Sequence, residues 1–238
     1  MGRVRKIGGE KVNKKIDFKT INEIIGCNDS FKMPQILMEK LFYRNERERI
    51  FREFLQIEHN LDYDWFHIYF QEEFAERKTK KQDFTPDSIG LLLSKIINDE
   101  AVRGSGATLD TAGGTGGLTI QKWVQDKYAT KFFDYKPSNY FYQVEELSDR
   151  ALPFLLFNLS IRGMNAVVIH GDALHREVHQ IYLLENEFDR YTSFSTISIF
   201  KHTKQVEKEF NVKKWLSEEI DYVESNPLYF MKGATLDG

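Results

Sequence analysis

Between about residues 19 and 77 the apolar positions recur three and four apart. Ile21, Ile24 and Ile25 come first, and Ile36, Leu37, Leu41 and Phe42 follow after Pro34. Ile50, Phe51, Phe54 and Leu55 repeat the spacing, and Phe66, Ile68, Tyr69, Phe70 and Phe74 continue it. That period puts one apolar stripe on each segment and predicts three or four amphipathic helices in a small N-terminal bundle. Beyond residue 82 the pattern changes. Helical SIGLLLSKIIN is followed by turn-rich VRGSG, the short apolar ATLD, a glycine cluster and helical LTIQKWVQDKYA. Strand-like YFYQVEE, the long apolar helix DRALPFLLFNLSIRG and the strand NAVVIHGD come next. Strands alternating with helices through short connections predict a parallel, doubly wound sheet, and TSFSTISIF (192–200) alternates like one more strand. The expectation is a charged arm over 1–18, an N-terminal helical region over 1–80 and an α/β domain over 81–238.

Composition narrows the picture only modestly. A chain of 238 residues suits one α/β domain with a helical appendage. Its net charge of -3 argues against a protein that grips a polyanion unaided, so a local basic patch or a partner has to supply that contact. The stretch RKTKK (77–81) is such a patch, or a solvated linker. The 19 Phe and 11 Tyr are mostly core, with room for a platform under a planar ligand. Cys27 is the sole cysteine, which excludes an internal disulfide and favours a reducing, cytoplasmic setting. The basic start of the chain lacks an apolar core for a secretory signal, and no apolar run nears the about 18 residues of a membrane span.

The most informative segment is Leu109-Asp110-Thr111-Ala112-Gly113-Gly114-Thr115-Gly116-Gly117-Leu118. Glycines directly after a strand and before a helix permit a sharp turn and let a ligand lie against bare main chain. The dinucleotide fingerprint fails at its third glycine, where Thr119 stands, and the acid expected about 20 residues on would fall near Lys136. A P-loop fails too, because no Gly-Lys-Ser/Thr follows.

The loop resembles the Asp-Pro-Ala-Cys-Gly-Ser-Gly-Gly motif of N6-adenine DNA methyltransferases, with Thr111 for the proline and Gly113 for the cysteine. Asp83-Phe84-Thr85-Pro86 looks like the Phe-Thr-Pro segment that precedes this motif in type I modification subunits, and also reads as a helix start with Thr85 as N-cap and Pro86 at N1. Glu145-Glu146 close the second strand of the domain, and Gly171-Asp172 the third. Counting back from Asn158, which is similar to the family's Met-Asn-Leu helix, selects Glu146 over Glu145. Over about residues 82–175 the resemblance implies a Rossmann-like fold binding S-adenosyl-L-methionine. Phe84, Thr85, Pro86, Asp110, Ala112, Gly113, Gly114, Thr115, Gly116 and Gly117 would form the cradle. Glu146 would accept the ribose hydroxyls, and Asp172 the adenine amine, with Gly171 leaving room for the ring. DNA with an adenine target and a specificity subunit are the implied partners.

Adenine methylation also needs Asn/Asp-Pro-Pro-Tyr/Phe, whose Asn and main-chain carbonyl accept the amine hydrogens while the aromatic ring stacks on the flipped base. Residues 180–205 contain no such motif. Ser225-Asn226-Pro227-Leu228-Tyr229-Phe230 resembles it with Leu228 for the second proline, making Asn226 and Tyr229 the catalytic candidates, or is an ordinary turn before an edge strand. Two functions stay open. One is an active adenine-N6 methyltransferase of modification-subunit type. The other is an inactive cofactor-binding homologue that regulates or decoys restriction–modification, as a phage or mobile element would carry. His175 and His179, four apart in HREVH, are expected on a surface helix rather than at a metal, and Cys27 is expected to be structural.

Overall fold

A computed structural model describes residues 16–73, 107–131 and 134–224. The first stretch folds into helices α1 (Phe18–Ile25), α2 (Met33–Leu41), α3 (Arg44–Ile57) and α4 (His67–Glu73). The start of α1 is set by Asp17, whose side chain accepts from Thr20 N at 2.8 Å, and its end by Gly26 at φ +74°. The apolar stripes point inward as the spacing requires: Ile21, Ile25, Leu37, Phe51 and Phe54 have no exposed surface.

The second stretch is a βαβαβ unit. Strand β1 (Ala107–Asp110) leads through the glycine loop into α5 (Gly117–Ala129), then β2 (Phe141–Glu146), α6 (Leu152–Ile161) and β3 (Ala166–Asp172). The three strands are parallel, with Asp110 opposite Val144 and Glu146 opposite His170, so their C-terminal ends share one edge of the sheet. Every residue of α6 is buried. The helix lies in one core with α1–α4 on one side and alternate strand residues Tyr142, Val144, Ala166 and Val168 on the other. Much of the aromatic surplus is spent here. Phe51, Phe54, Phe66, Phe154 and Phe157 meet ring to ring, with centroids 4.8 to 5.0 Å apart for four of their pairs.

The chain then departs from a doubly wound sheet. Strands β4 (Glu177–Glu185) and β5 (Thr196–Ile199) add antiparallel next to β3, giving the order β1-β2-β3-β4-β5 with the short β6 (Lys214–Trp215) beside β4. The expectation of parallel strands throughout is corrected for this half. Only residues 173–176 join β3 to β4, far fewer than the dozen or so a parallel crossover needs. The helix expected around HREVH is corrected as well: Glu177–Glu185 alternates in burial as a strand does, and its second half is buried throughout. The other sheet face carries Val167, Ile169, Ile181 and Leu183 under α7 (Lys204–Glu209) and Phe210. The strand read into 192–200 is β5, and the helices and strands predicted around the glycine cluster lie where expected. The helix predicted at SIGLLLSKIIN is outside the described residues.

Candidate cofactor site

At the C-terminal edge of β1 to β3 the glycine loop closes over the strand ends. Asp110 finishes β1 and pins the loop at both ends: Oδ1 accepts from Ala112 N at 3.3 Å and Oδ2 from the Thr119 hydroxyl at 2.9 Å. Gly113 N donates to Glu145 O at 3.0 Å, which stitches the loop to β2. Gly114 N donates to Glu146 Oε2 at 2.6 Å, while Ser148 N donates to Oε1 at 2.7 Å. Burial pushes the Glu146 carboxyl above its ordinary range, and Asp110 adds to the rise; the two main-chain donors and nearby His170 pull the other way.

The adjacent acids have separate duties. Glu145 faces the opposite side of the sheet, where Arg176 Nη1 holds both its oxygens at 2.8 and 3.0 Å. Glu146 is therefore the acid brought to the glycine loop, the one selected by counting back from Asn158. Asp172 finishes β3, and its Oδ1 accepts from Leu174 N and His175 N at 2.8 and 2.9 Å. Its Oδ2 lies 2.7 Å from His175 Nδ1. These bonds hold the Asp172 carboxyl below its usual range, the main-chain and side-chain bonds from His175 contributing first. Asp172 thus stands at the expected strand end, with its acceptors engaged by the following turn.

The glycines divide by cause. A side chain at Gly113 would start 2.3 Å from Val144 Cγ1, and Gly116 adopts φ +103° with Leu155 Cδ1 3.2 Å from where a Cβ would stand. Both are demanded by the packing of the loop on β2 and α6. At Gly117 an added Cβ would meet only Asp64 Oδ2, at 3.9 Å, so the loop is roomier there. Gly171 has its own reason: β4 crosses so closely at a bulge that a Cβ would lie 2.3 Å from Glu177 O. The approach of a neighbouring strand, rather than room for a ring, is what the structure shows at that glycine.

Sequence reasoning missed Asp64. It lies between α3 and α4, far from the loop in sequence, and accepts from the Thr115 hydroxyl and from Asn158 Nδ2. The signal that points to it is in the mostly apolar α6 and at its C-terminal cap, where Asn158 and Arg162 are buried polar residues four apart and so require partners. His175 and His179 are not a ligand pair. His175 pairs with Asp172, and His179 stacks on His170 with ring centroids 4.7 Å apart. Among the described residues no group of three His, Cys, Asp or Glu could hold a metal. Cys27 is buried and donates its Sγ hydrogen to Asp29 O at 2.9 Å, a packing role. Phe84, Thr85, Pro86, Asn226 and Tyr229 lie outside the described residues.

The sequence profile of N-6 DNA methylases matches residues 63–233, which includes every described element from α4 onward. The chain belongs to the N-6 DNA methylase family. The cofactor of that family is S-adenosylmethionine, and the residues present suit it. A Gly-rich turn with a hydrogen-bond-accepting acid at the end of the next parallel strand is an arrangement that holds an adenosyl group. No curated protein matches the chain. Among solved structures, it is similar to a Listeria monocytogenes protein assigned to the class I S-adenosylmethionine-dependent methyltransferases. The two are 15% identical over 65% of this chain, with a TM-score of 0.43. The chain spans about half of that protein, 49% of its length. No helix among the described residues is long and apolar enough to cross a membrane.

Proposed function

We propose that this member of the family is an S-adenosylmethionine-dependent DNA methyltransferase of type I modification-subunit kind, acting on adenine N6 with a specificity subunit choosing the site. The observation that carries the reading is the buried Glu146 carboxylate held against Gly114 N–H at the ends of β1 and β2. Each Glu146 oxygen accepts one main-chain hydrogen and keeps a lone pair, so the carboxylate can take two ribose hydroxyls. Asp110 keeps the loop closed through Ala112 and Thr119. When bound, S-adenosylmethionine would supply a sulfonium methyl group for transfer to the adenine amine, its sulfur leaving as the neutral thioether. The protein's part is to hold donor and amine in line, so the contribution is one of positioning. Asn226 and Tyr229 are the candidates for holding the amine and stacking on the base. The last described residue, Glu224, is fixed at β5, where its Oε2 accepts from Ile197 N at 2.9 Å.

Calorimetric titration with S-adenosylmethionine, followed by adenine-containing DNA in the same sample, tests the reading. Binding and methyl transfer are expected from the wild-type protein. Asp110→Ala and Gly116→Val are expected to abolish binding, and Glu146→Ala to weaken it by roughly 1–3 kcal/mol, the cost of unpaired polar groups. Retained binding in all three would remove the site. Asn226→Ala is expected to bind cofactor normally and lose transfer; unchanged transfer would dismiss Asn226.

A further inference from the structure

Thr115 sits at the centre of the glycine loop and is 1% exposed. Its hydroxyl and its carbonyl are both engaged by residues from outside the loop. The hydroxyl donates to Asp64 Oδ2, and the carbonyl accepts from Asn158 Nδ2 at 2.7 Å. That same nitrogen donates to Asp64 Oδ1 at 2.7 Å, and Phe66 N completes this oxygen at 2.9 Å. Arg162, which caps α6 one turn further on, fixes the amide from behind by donating to Asn158 Oδ1 at 2.9 Å and Asn158 O at 2.7 Å. Its remaining donors hold the chain on both sides of Asp62, reaching Leu61 O at 2.8 Å and Tyr63 O at 2.6 Å. Thr115 is flanked by Gly114, whose N–H meets Glu146, and by Gly116 in its left-handed conformation. Two neighbouring glycines give the main chain wide freedom. The orientation of the Gly114 amide is then set by what fixes its neighbours, Gly113 through Glu145 O and Gly116 N on one side and Thr115 on the other.

We propose that Asp64 is a positioning residue for cofactor binding, holding Thr115 so that the glycine loop presents its Gly114 amide to Glu146. This rests on the reading that the loop binds S-adenosylmethionine. It makes the segment between α3 and α4 part of the binding apparatus, although that segment lies 51 residues before Thr115. Burial raises the carboxyl of Asp64 above its usual range, while the hydrogen bonds from Thr115, Phe66 N and Asn158 and the charge of Arg162 pull the other way.

The test is a double-mutant cycle read in S-adenosylmethionine affinity by calorimetry, with thermal midpoints of the ligand-free proteins recorded alongside. The proteins are wild type, Asp64→Asn, Thr115→Val, Thr115→Ser and the Asp64→Asn/Thr115→Val double variant. Thr115→Val keeps the shape and removes the hydroxyl, so affinity is expected to fall about tenfold, the scale of one hydrogen bond to a charged group. Thr115→Ser restores the hydroxyl and is expected to bind within about threefold of wild type whatever its thermal midpoint. Asp64→Asn should weaken binding alone and add nothing in the Thr115→Val background. Wild-type affinity in Thr115→Val, or additive losses in the double variant, would overturn the proposal while leaving the cofactor reading intact. Failure of wild type itself to bind would overturn both. Should Thr115→Val not fold, Thr115→Ala takes its place in the cycle with the same expectations.

Discussion

At the residue scale, two positions in the site separate packing from charge. Gly113 is required by Val144, so Gly113→Ala is expected to cost about 1–3 kcal/mol of stability through overpacking, read as a lowered thermal midpoint. Asp172 and His175 make a pH-dependent pair. The Asp172 carboxyl is lowered from 3.8, so its stabilisation is present above that value and is lost as pH falls through the lowered one. The His175 imidazole is raised from 6.5, so its stabilisation is full below 6.5 and is lost as pH rises through the raised value. The ion pair therefore works mainly between these limits. Asp172→Asn, which keeps an acceptor for Leu174 N and His175 N, should lower the thermal midpoint more at pH 6 than at pH 9. An equal drop at both would mean the pair contributes nothing beyond its main-chain bonds.

At the scale of elements, the segment after β6 straps the outer edge of the sheet to the helices. Ile199 N donates to Tyr222 O at 2.8 Å, and the Tyr222 hydroxyl donates to Phe42 O at 2.6 Å. Glu224 receives Arg47 Nη2 at 2.5 Å, in a pair whose side chains are 7% and 1% exposed. Removing one member of such a pair leaves a buried charge behind. Glu224→Ala is expected to destabilise the protein by about 3–5 kcal/mol, measured by denaturant unfolding, and a change under about 1 kcal/mol would show that water replaces the carboxylate. The turn between β3 and β4 is a second determinant at this scale. Arg176 holds φ +59° there and locks Glu145, which leaves Glu146 as the acid on the loop side of the sheet.

At the scale of the whole molecule, α1 to α4 and the βαβαβ unit share one core through α6. Removing residues 1–62 would bare Phe154, Leu155 and Phe157, each now fully buried, and is expected to yield a chain without cooperative thermal unfolding. A sharp transition in the shortened chain would show that the strand-and-helix unit stands alone.

The sequence by itself determined the local elements and the order of the site. Helical spacing placed α1 to α4, and the glycine cluster between ATLD and LTIQKWV fixed the turn from β1 to α5, because periodicity and glycine chemistry act over a few neighbouring residues. It also ordered Asp110, Glu146 and Asp172 along successive strand ends. Counting back from Asn158 picked Glu146 over Glu145, and the tertiary structure supplied the reason: the two sides of a strand differ by a single residue, and Arg176 engages Glu145 on the other face. The antiparallel return of β4 followed from a turn too short for a crossover. Asp64 reached Thr115 because Asn158 and Arg162, buried in the mostly apolar α6 and at its cap, need polar partners that no local pattern names.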